Sequence, residues 1–320
     1  MGVPGRIPAG VELLVGGRNA SVLGGARAWL GRVPVGPDEE VARFLPVSGG
    51  VIVQVARLDG RASSTIYFVA RQGSVTKLAE ADSVAVSLDR KRVFALNRSA
   101  RTSGGPGRLL EVDLTGQVVR RWSTSAELWL ETDSTEGLVV SEFLAQPNGG
   151  TQIRVLDHRT LHIRRRLGSV ARVISATSHT VAAWPARCAG TCKLLLIDIV
   201  DGRQRQVRTA AGFTVGTVAL RPDGARLAVG YFGRSYQQPG GRARGFVDVV
   251  DVRTGVSQRV PGVGSGVKHT AELAWLPDGW SLALGVDLPD DVRRIGLWSL
   301  RSRRVALVPG TFSAGGLLAV

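Results

Sequence analysis

Cysteine, methionine and histidine are scarce in this chain of 320 residues, which contains two cysteines, one methionine and four histidines. Two thiolates do not complete a zinc site, so a cysteine-based zinc module is excluded. No run approaches the roughly 18 apolar residues that a membrane-spanning helix requires. A Ser-His-Asp order, a phosphate-binding glycine loop and an HExxH motif are also absent, so the sequence carries no catalytic signature and implies no cofactor or metal.

Acidic residues are outnumbered: 41 Lys and Arg face 26 Asp and Glu, giving a net charge of +15 and a pI of about 11.2. Such basicity favours nucleic acid, anionic lipid or a cell-wall polymer as partner. The excess is nearly all arginine, however, and arginine beside abundant Gly, Ala and Val is typical of a GC-rich bacterial genome. We therefore treat the charge as a weak indication of function.

Tight turns between two apolar runs recur seven times, at intervals of mostly about 41 to 46 residues, the length of a four-stranded propeller blade. They lie at residues 48–50, 89–91, 134–137, 177–179, 222–224, 277–279 and 314–316. In the Pro-Asp-Gly examples, Pro presets φ, Asp caps the turn and Gly takes the left-handed position. A second series of turns marks the exit of each third strand, at residues 68–73, 112–116, 156–160, 197–202, 250–255 and 298–301.

These repeats predict an all-β fold, a single seven-bladed β-propeller over residues 1–320 with four-stranded antiparallel blades. The last blade is shared between about residues 10–40 and 310–320, so that pairing of the N- and C-terminal strands closes the ring. Closure stabilises a propeller because no blade keeps an exposed interface. A monomer is expected.

Two segments carry a family resemblance: RPDGARLAV at residues 221–229 and IGLWSL at residues 295–300. They resemble the WD40-like propellers of the bacterial TolB-like kind. The resemblance covers most of the chain in architecture, and it implies a scaffold that binds proteins or peptides.

The loops that join second to third strands are the long ones, at residues 56–64, 98–108, 145–151, 184–193, 233–245 and 287–294. Because loops on a rigid scaffold carry function, we predict that this long-loop face binds the partner. Ordinary drift in loop length is the alternative. The most distinctive loop is GRSYQQPGGRARG at 233–245, and its candidate binding residues combine aromatic rings with guanidinium groups suited to stacking and anion contact: Tyr231, Phe232, Arg234, Tyr236, Arg242 and Arg244. A solvated loop explains the same composition.

Most clustered arginines fall on or near predicted fourth strands, the outer edges of the blades, where charge prevents pairing with another sheet. They are Arg120, Arg121, Arg164, Arg165, Arg166, Arg203, Arg205, Arg208, Arg259, Arg303 and Arg304. Edge protection explains them without a ligand. We therefore rank it above polyanion binding, and nucleic acid is not an expected partner.

Cys188 and Cys192 lie in one predicted hairpin, with three residues between them. Across such a hairpin they could form a disulfide, which favours an oxidising, extracytoplasmic compartment over the cytoplasm. The first thirty residues show no signal peptide, so secretion or anchoring would require a segment outside this chain.

The histidines give little sign of catalysis. His158, His162 and His179 are interpreted as solvated turn residues, and only His269 lies near a predicted channel mouth. Glu131 and Asp133 are interpreted as turn residues too. The sequence therefore predicts a non-enzymatic binding scaffold with an unidentified protein, peptide or ligand partner. A propeller-based hydrolase or lyase with its site at the central channel is the alternative, and polyanion binding is the second.

Overall fold

The computed structural model describes residues 3–4, 13–16, 21–23, 32–58, 64–98, 106–144, 150–185, 193–233, 245–261, 269–287, 293–308 and 317–319. These residues form 27 β-strands in six sheets, and none of their segments is a helix long and apolar enough to cross a membrane. The chain divides into two compact units. We call residues 29–189 and 194–206 the central unit, and residues 1–28, 190–193 and 207–320 the terminal unit.

Three short strands come first in the chain: β1 (Val3–Pro4), β2 (Leu13–Val15) and β3 (Ser21–Leu23). The central unit then begins with two antiparallel sheets of four strands each, in chain order. The first consists of β4 (Glu39–Val47), β5 (Gly50–Arg57), β6 (Ser64–Ala70) and β7 (Val75–Ala81). The second consists of β8 (Ser83–Val86), β9 (Arg92–Asn97), β10 (Gly107–Asp113) and β11 (Val118–Thr124).

The third sheet of the central unit has seven antiparallel strands instead of four. Its strands are β12 (Leu128–Ser134), β13 (Gly137–Leu144), β14 (Gly150–Leu156), β15 (Ile163–Ala176), β16 (Thr180–Pro185), β17 (Leu194–Asp198) and β18 (Gln204–Val207). The 14-residue strand β15 pairs with β14 through its first half and with β16 through its second. Two predicted blades are therefore one continuous sheet, because β15 serves as the fourth strand of one set and the first strand of the next.

The terminal unit contains the other three sheets. One has four antiparallel strands, β19 (Phe213–Leu220), β20 (Arg226–Gly233), β21 (Gly245–Asp251) and β22 (Ser257–Arg259). The next has β23 (His269–Trp275), β24 (Ser281–Asp287), β25 (Arg293–Ser299) and β26 (Val305–Leu307), and β1 pairs with β26 in parallel as a fifth strand. In the last, β2 lies between β3 and β27 (Leu317–Ala319), so strands from both ends of the chain pair as predicted.

The predicted hairpin turns are confirmed wherever the structure describes them. Gly224 and Gly279 have φ of 71° and 65°, the left-handed conformation expected of Pro-Asp-Gly turns, and Arg90 has φ of 58° in its turn. Gly137 has φ of 141°, and a Cβ there would lie 2.2 Å from the carbonyl oxygen of Leu156. The seventh predicted turn, residues 314–316, lies outside the described residues.

Four of the six turns of the second series share a physical basis, an aspartate that caps the turn. Asp113 Oδ1 accepts hydrogen bonds from the backbone N–H groups of Thr115 and Gln117, each at 2.9 Å. The same arrangement recurs at Asp157, Asp198 and Asp251. Hydrogen bonds of this kind favour the ionised carboxylate, and they lower the pKa of Asp113, Asp157 and Asp251.

A β-bulge recurs in the pairing of first strands with second strands. It occurs in five of these pairs, β4–β5, β12–β13, β15–β16, β19–β20 and β23–β24. The β15–β16 pair has two extra residues and the others have one each, and four of the six are small: Ala42, Ala171, Gly216 and Ala271, beside Ile174 and Glu131. Because a bulge twists its strand and redirects the neighbouring side chains, it fixes where first-strand residues point.

The cores lie between successive sheets. In the central unit, Ile52 and Ile66 of the first sheet pack with Val84 and Val93 of the second. In the terminal unit, one cluster joins β20 and β21 to the fully buried Trp298 and to Trp275. The Trp275 indole N–H donates to the carbonyl of Ala219 at 3.0 Å, whereas that of Trp298 has no hydrogen-bond partner among the described residues.

Candidate functional site

All six predicted long loops join the second to the third strand of a set, as expected. Most of each loop lies outside the described residues: 59–63, 99–105, 145–149, 186–192, 234–244 and 288–292. What the structure describes is the end of the sheet from which each loop leaves. These loop bases are where the candidate site is built.

An aromatic cluster forms the base of the 234–244 loop in the terminal unit. The Phe246 ring lies edge-on to Phe213 at 4.6 Å and against Tyr231 at 4.7 Å between centroids. The Tyr231 hydroxyl accepts a hydrogen bond from the Ala210 N–H at 3.4 Å. Burial raises the pKa of Tyr231 to about 12, so the hydroxyl stays protonated at neutral pH.

Arg259 covers this cluster from the edge strand β22. Its guanidinium carbon lies 3.5 Å from the centroid of the Phe246 ring, a cation–π contact, and its Nε donates to Asp248 Oδ1 on β21. The Arg259 side chain is 54% exposed. The arrangement therefore presents a guanidinium to solvent with its orientation fixed by a ring and a carboxylate.

The predicted binding residues of this loop separate into three groups. Tyr231 lies in the interior, with 2% of its surface exposed, and packs against Phe246, so its direct contact with a partner stays a prediction. Phe232 is half-buried at the end of β20, beside the loop. The remaining four lie outside the described residues, as do both cysteines of the predicted disulfide: Arg234, Tyr236, Arg242, Arg244, Cys188 and Cys192.

The 99–105 loop of the central unit leaves from a base of the same chemistry. The guanidinium carbon of Arg98 lies 4.5 Å from the centroid of the Trp129 ring. Asp82 accepts the backbone N–H of Arg98, and its Oδ2 lies 3.9 Å from the Arg98 Nε. The sequence does not indicate this group, because its three residues belong to different strands or connections. They are brought together by the packing of neighbouring sheets.

A third charged group lies near the base of the 145–149 loop. Arg154 on β14 pairs with Glu142 on β13, and the Gln152 side-chain oxygen accepts from Arg154 Nε at 3.1 Å and Nη2 at 2.8 Å. Alternation of buried and polar residues along β14 could have indicated the position of Arg154. This base differs from the two others because no aromatic ring of the described residues lies against the guanidinium.

The two carboxylates interpreted as turn residues lie in a strand, which corrects that interpretation. Glu131 is the bulge residue of β12, half-buried, and accepts a hydrogen bond from Ser141 Oγ at 2.5 Å. Burial raises the pKa of Glu131, against the opposing effects of Ser141 and Arg43. Asp133 is 5% exposed and bonds the imidazole of His158, which stacks on Phe94 at 6.0 Å.

Two of the other histidines lie on the surface. His162 and His179 are exposed, as expected of turn residues. His269 begins β23, opposite Asp287 of β24. In the described parts of the chain, no three His, Cys, Asp or Glu side chains are grouped so that they could hold a metal ion.

The arginines expected on outer edges are only partly there. Arg120, Arg121, Arg205 and Arg259 lie on edge strands. Arg164 to Arg166 lie in the first half of β15, which pairs with β14, while the pairing with β16 begins at Val170. Arg303 and Arg304, by contrast, precede β26, which β1 covers. Several form ion pairs within their own sheet: Arg120 with Glu111, Arg165 with Glu136, Arg203 with Asp201 and Arg259 with Asp248. Pairing within the sheet lowers the positive charge that is left for a polyanion.

Solved structures share this fold at low sequence identity, while no protein-family model and no curated protein matches the sequence. TolB from Acinetobacter baumannii is 14% identical, with a TM-score of 0.51 over 94% of this chain and 75% of that one. The fold is a β-propeller. An oligogalacturonate lyase in complex with manganese is 14% identical, with a TM-score of 0.57 over 95% of this propeller and 85% of the lyase. Prolyl oligopeptidase B from Galerina marginata is 13% identical, with a TM-score of 0.59, and the propeller covers 86% of its own length but only 43% of that enzyme.

Proposed function

We propose that residues 1–320 form a single seven-bladed propeller. The strand sets β4–β7, β8–β11, β12–β15, β15–β18, β19–β22 and β23–β26 supply six blades of four strands each when β15 is counted in two. The pairing of β27 with β2, and of β2 with β3, supports a seventh blade shared between about residues 10–40 and 310–320. This blade closes the ring and joins the chain ends.

The protein acts as a non-enzymatic binding scaffold that holds a protein, peptide or other ligand at its long-loop end. One observation carries this proposal: two of the long loops leave from bases where a guanidinium lies on an aromatic ring beside a carboxylate. Arginine and aromatic side chains are enriched at the energetically dominant positions of interfaces. At these bases the side chains are already ordered before a partner arrives, which lowers the entropic cost of binding.

A site-specific photocrosslinking experiment tests the binding end. A photoreactive residue replaces Tyr236 in the 234–244 loop, and in a matched control it replaces Val200, which is exposed in a turn at the opposite end of its strands. Crosslinking in the native host is expected to give one discrete adduct from position 236 and none from position 200. The same adduct from both positions, or an adduct from position 200 alone, would reject the long-loop end as the binding site.

An enzyme is the second candidate, because two solved structures with this fold are a lyase and a peptidase. The first-strand carboxyl of Glu131, whose pKa burial raises, is the described group best suited to acid–base chemistry. Turnover of oligogalacturonate or of a proline-containing peptide that disappears in Glu131→Gln would favour the enzyme. Turnover that survives in Glu131→Gln would favour an enzyme whose site does not use Glu131, and absent turnover leaves the binding scaffold.

Polyanion binding is the third candidate, supported by the net charge of +15. It predicts retention on heparin that falls steeply with salt, because neutralising phosphates or sulfates releases counterions. The ion pairs within the sheets favour weak retention. Retention that does not depend on salt would remove this candidate.

We also propose that the protein is an extracytoplasmic monomer with a disulfide between Cys188 and Cys192. Mass spectrometry of the native protein with and without reductant tests the bond. A mass decrease of about two protons relative to the reduced chain is expected for so close a pair. Two free thiols in protein isolated from its host would argue for the cytoplasm.

A further inference from the structure

The first strands of the three successive sheets of the central unit are joined by side chains that reach across them. Arg43 on β4 donates from Nη1 to the carbonyl of Val84 on β8 at 3.4 Å. On the other side of β8, the Ser83 hydroxyl accepts the backbone N–H of Leu130 on β12 at 3.0 Å. The strand β8 therefore lies between β4 and β12, and Arg43 extends over it towards the residues of β12.

Glu131 places a carboxyl group at the bulge position of a first strand. The other extra residues in the bulged strand pairs are Ala or Gly, apart from Ile174 in the second bulge of β15, and Glu131 is the one that carries a charge. Its Oε1 is held by the hydroxyl of Ser141, which is 2% exposed. None of the described residues donates a hydrogen bond to its Oε2, so this oxygen is the acceptor that a ligand would use.

Arg43 and Glu131 influence each other without direct contact. Each shifts the pKa of the other by Coulombic attraction, yet none of the ion pairs among the described residues joins them. The Arg43 side chain retains solvent contact, while the protein atoms around it lower the pKa of its guanidinium by desolvation. A guanidinium on β4 and a carboxylate on β12, placed on the two sides of β8 by the hydrogen bonds of Arg43 to Val84 and of Leu130 to Ser83, suit a ligand that carries the opposite charge at each end.

We propose that Arg43 and Glu131 bind a small zwitterion, an amino acid or short peptide with a free ammonium group and a free carboxylate. The planar guanidinium of Arg43 binds the carboxylate through two parallel N–H donors. The ionised carboxyl of Glu131 accepts the ammonium at Oε2, and Ser141 holds the carboxyl in place through Oε1. This site does not involve the long loops, so it can be tested separately from the proposed binding end.

Calorimetric titration of the full chain with glycylglycine at pH 7.5 tests the proposal. Binding is expected in the millimolar range, since a ligand of so few atoms gains little contact energy. Glu131→Gln and Arg43→Gln are each expected to weaken binding at least about tenfold, because each removes one charge-assisted hydrogen bond. Arg43→Lys keeps the charge but not the planar pair of donors, and it is expected to fall between wild type and Arg43→Gln.

Arg172→Gln is the matched control. Arg172 is an exposed arginine that directly follows a small bulge residue, Ala171, as Arg43 follows Ala42. The control is expected to bind glycylglycine as wild type does, and acetate or methylammonium alone is expected to bind at least about tenfold more weakly because each engages one charge. No heat up to roughly 50 mM glycylglycine, equal loss in Arg172→Gln, or unchanged binding in folded Glu131→Gln would overturn the proposal.

Discussion

The Asp133 carboxylate holds three segments of the central unit together, and removing it should cost more than any surface charge. It accepts the backbone N–H of Leu88 at 2.9 Å from the β8–β9 turn, and that of Ser134 at 3.0 Å. It also bonds the imidazole of His158 in the β14–β15 turn. With 5% of Asp133 exposed, water cannot replace these bonds.

Asp133→Ala leaves two backbone donors and one imidazole without their acceptor. At about 1 kcal/mol for each lost partner, the free energy of unfolding should fall by about 3 kcal/mol. The melting temperature should fall by about 6 °C for a domain of this size. Asp133→Asn keeps an acceptor oxygen and loses the charge, so about half of the effect is expected.

The contact between Asp133 and His158 also makes the stability of the protein depend on pH in a defined direction. The hydrogen bond to Asp133 raises the pKa of His158, with smaller contributions from the charges of Asp157 and Glu111, while partial burial opposes them. A histidine whose pKa is higher in the folded state contributes stability that is fully present below its unfolded pKa of about 6.5. This contribution is lost as the pH rises through the folded pKa.

Urea unfolding of wild type and His158→Gln at pH 5.5, 7 and 8.5 measures this contribution. Wild type should exceed His158→Gln most at pH 5.5, and the difference should shrink by pH 8.5. His162→Gln is the control, since His162 is an exposed histidine of the same turn. A difference that grows with pH, or one that His162→Gln reproduces, would refute the reasoning, as would an Asp133→Ala variant as stable as wild type.

Three further predictions follow from turns and core. Gly137→Ala should lower the free energy of unfolding by about 3 kcal/mol or more, because the new Cβ would meet a backbone oxygen. Gly212→Ala, at φ of 79° with open space around it, should lower it by only about 1 kcal/mol. Chemical denaturation compares the two variants, and equal losses would contradict the steric argument. Trp275→Phe should lower the free energy of unfolding by about 1 kcal/mol more than Trp298→Phe, because of the two only Trp275 gives up an indole hydrogen bond. Melting curves of the two variants test this order, and the reverse order would contradict the prediction. The capping residues Asp113, Asp157 and Asp251 have lowered pKa values in the folded state. They therefore contribute stability that is present above about pH 3.9 and is lost as the pH falls through the lowered values. An acid titration by circular dichroism should show a smaller loss in their Asn variants, and an unchanged acid transition would contradict this prediction.

The sequence predicted the hairpins well because their causes are local. A Pro-Asp-Gly turn needs only neighbouring residues to set φ and to cap the turn, and an aspartate followed by Thr or Gly caps a turn wherever it occurs. For the same reason the six described hairpin turns and the six third-strand exits lie where the sequence analysis expected them. The number of separate sheets could not be derived in this way, since whether β15 breaks between two sets of strands depends on how neighbouring sheets pack.

The candidate site was predictable only as a region. Loop length pointed to the end of each strand set at which these groups lie, but alternation along the chain does not reveal that Arg98 meets Trp129 or that Arg259 meets Phe246. Tyr231 shows the limit most clearly. Its position beside a polar loop suggested exposure, while the packing of Phe213 and Phe246 places it in the interior.

By itself, the sequence determined that this protein is a repeated all-β chain of antiparallel hairpins, because strand period and turn chemistry are properties of short segments. Only the tertiary structure decided which charges meet. Asp133 and His158 are 25 residues apart, and Arg43 reaches a strand 41 residues away. Such partners are chosen by the packing of one sheet on the next, which no local pattern records.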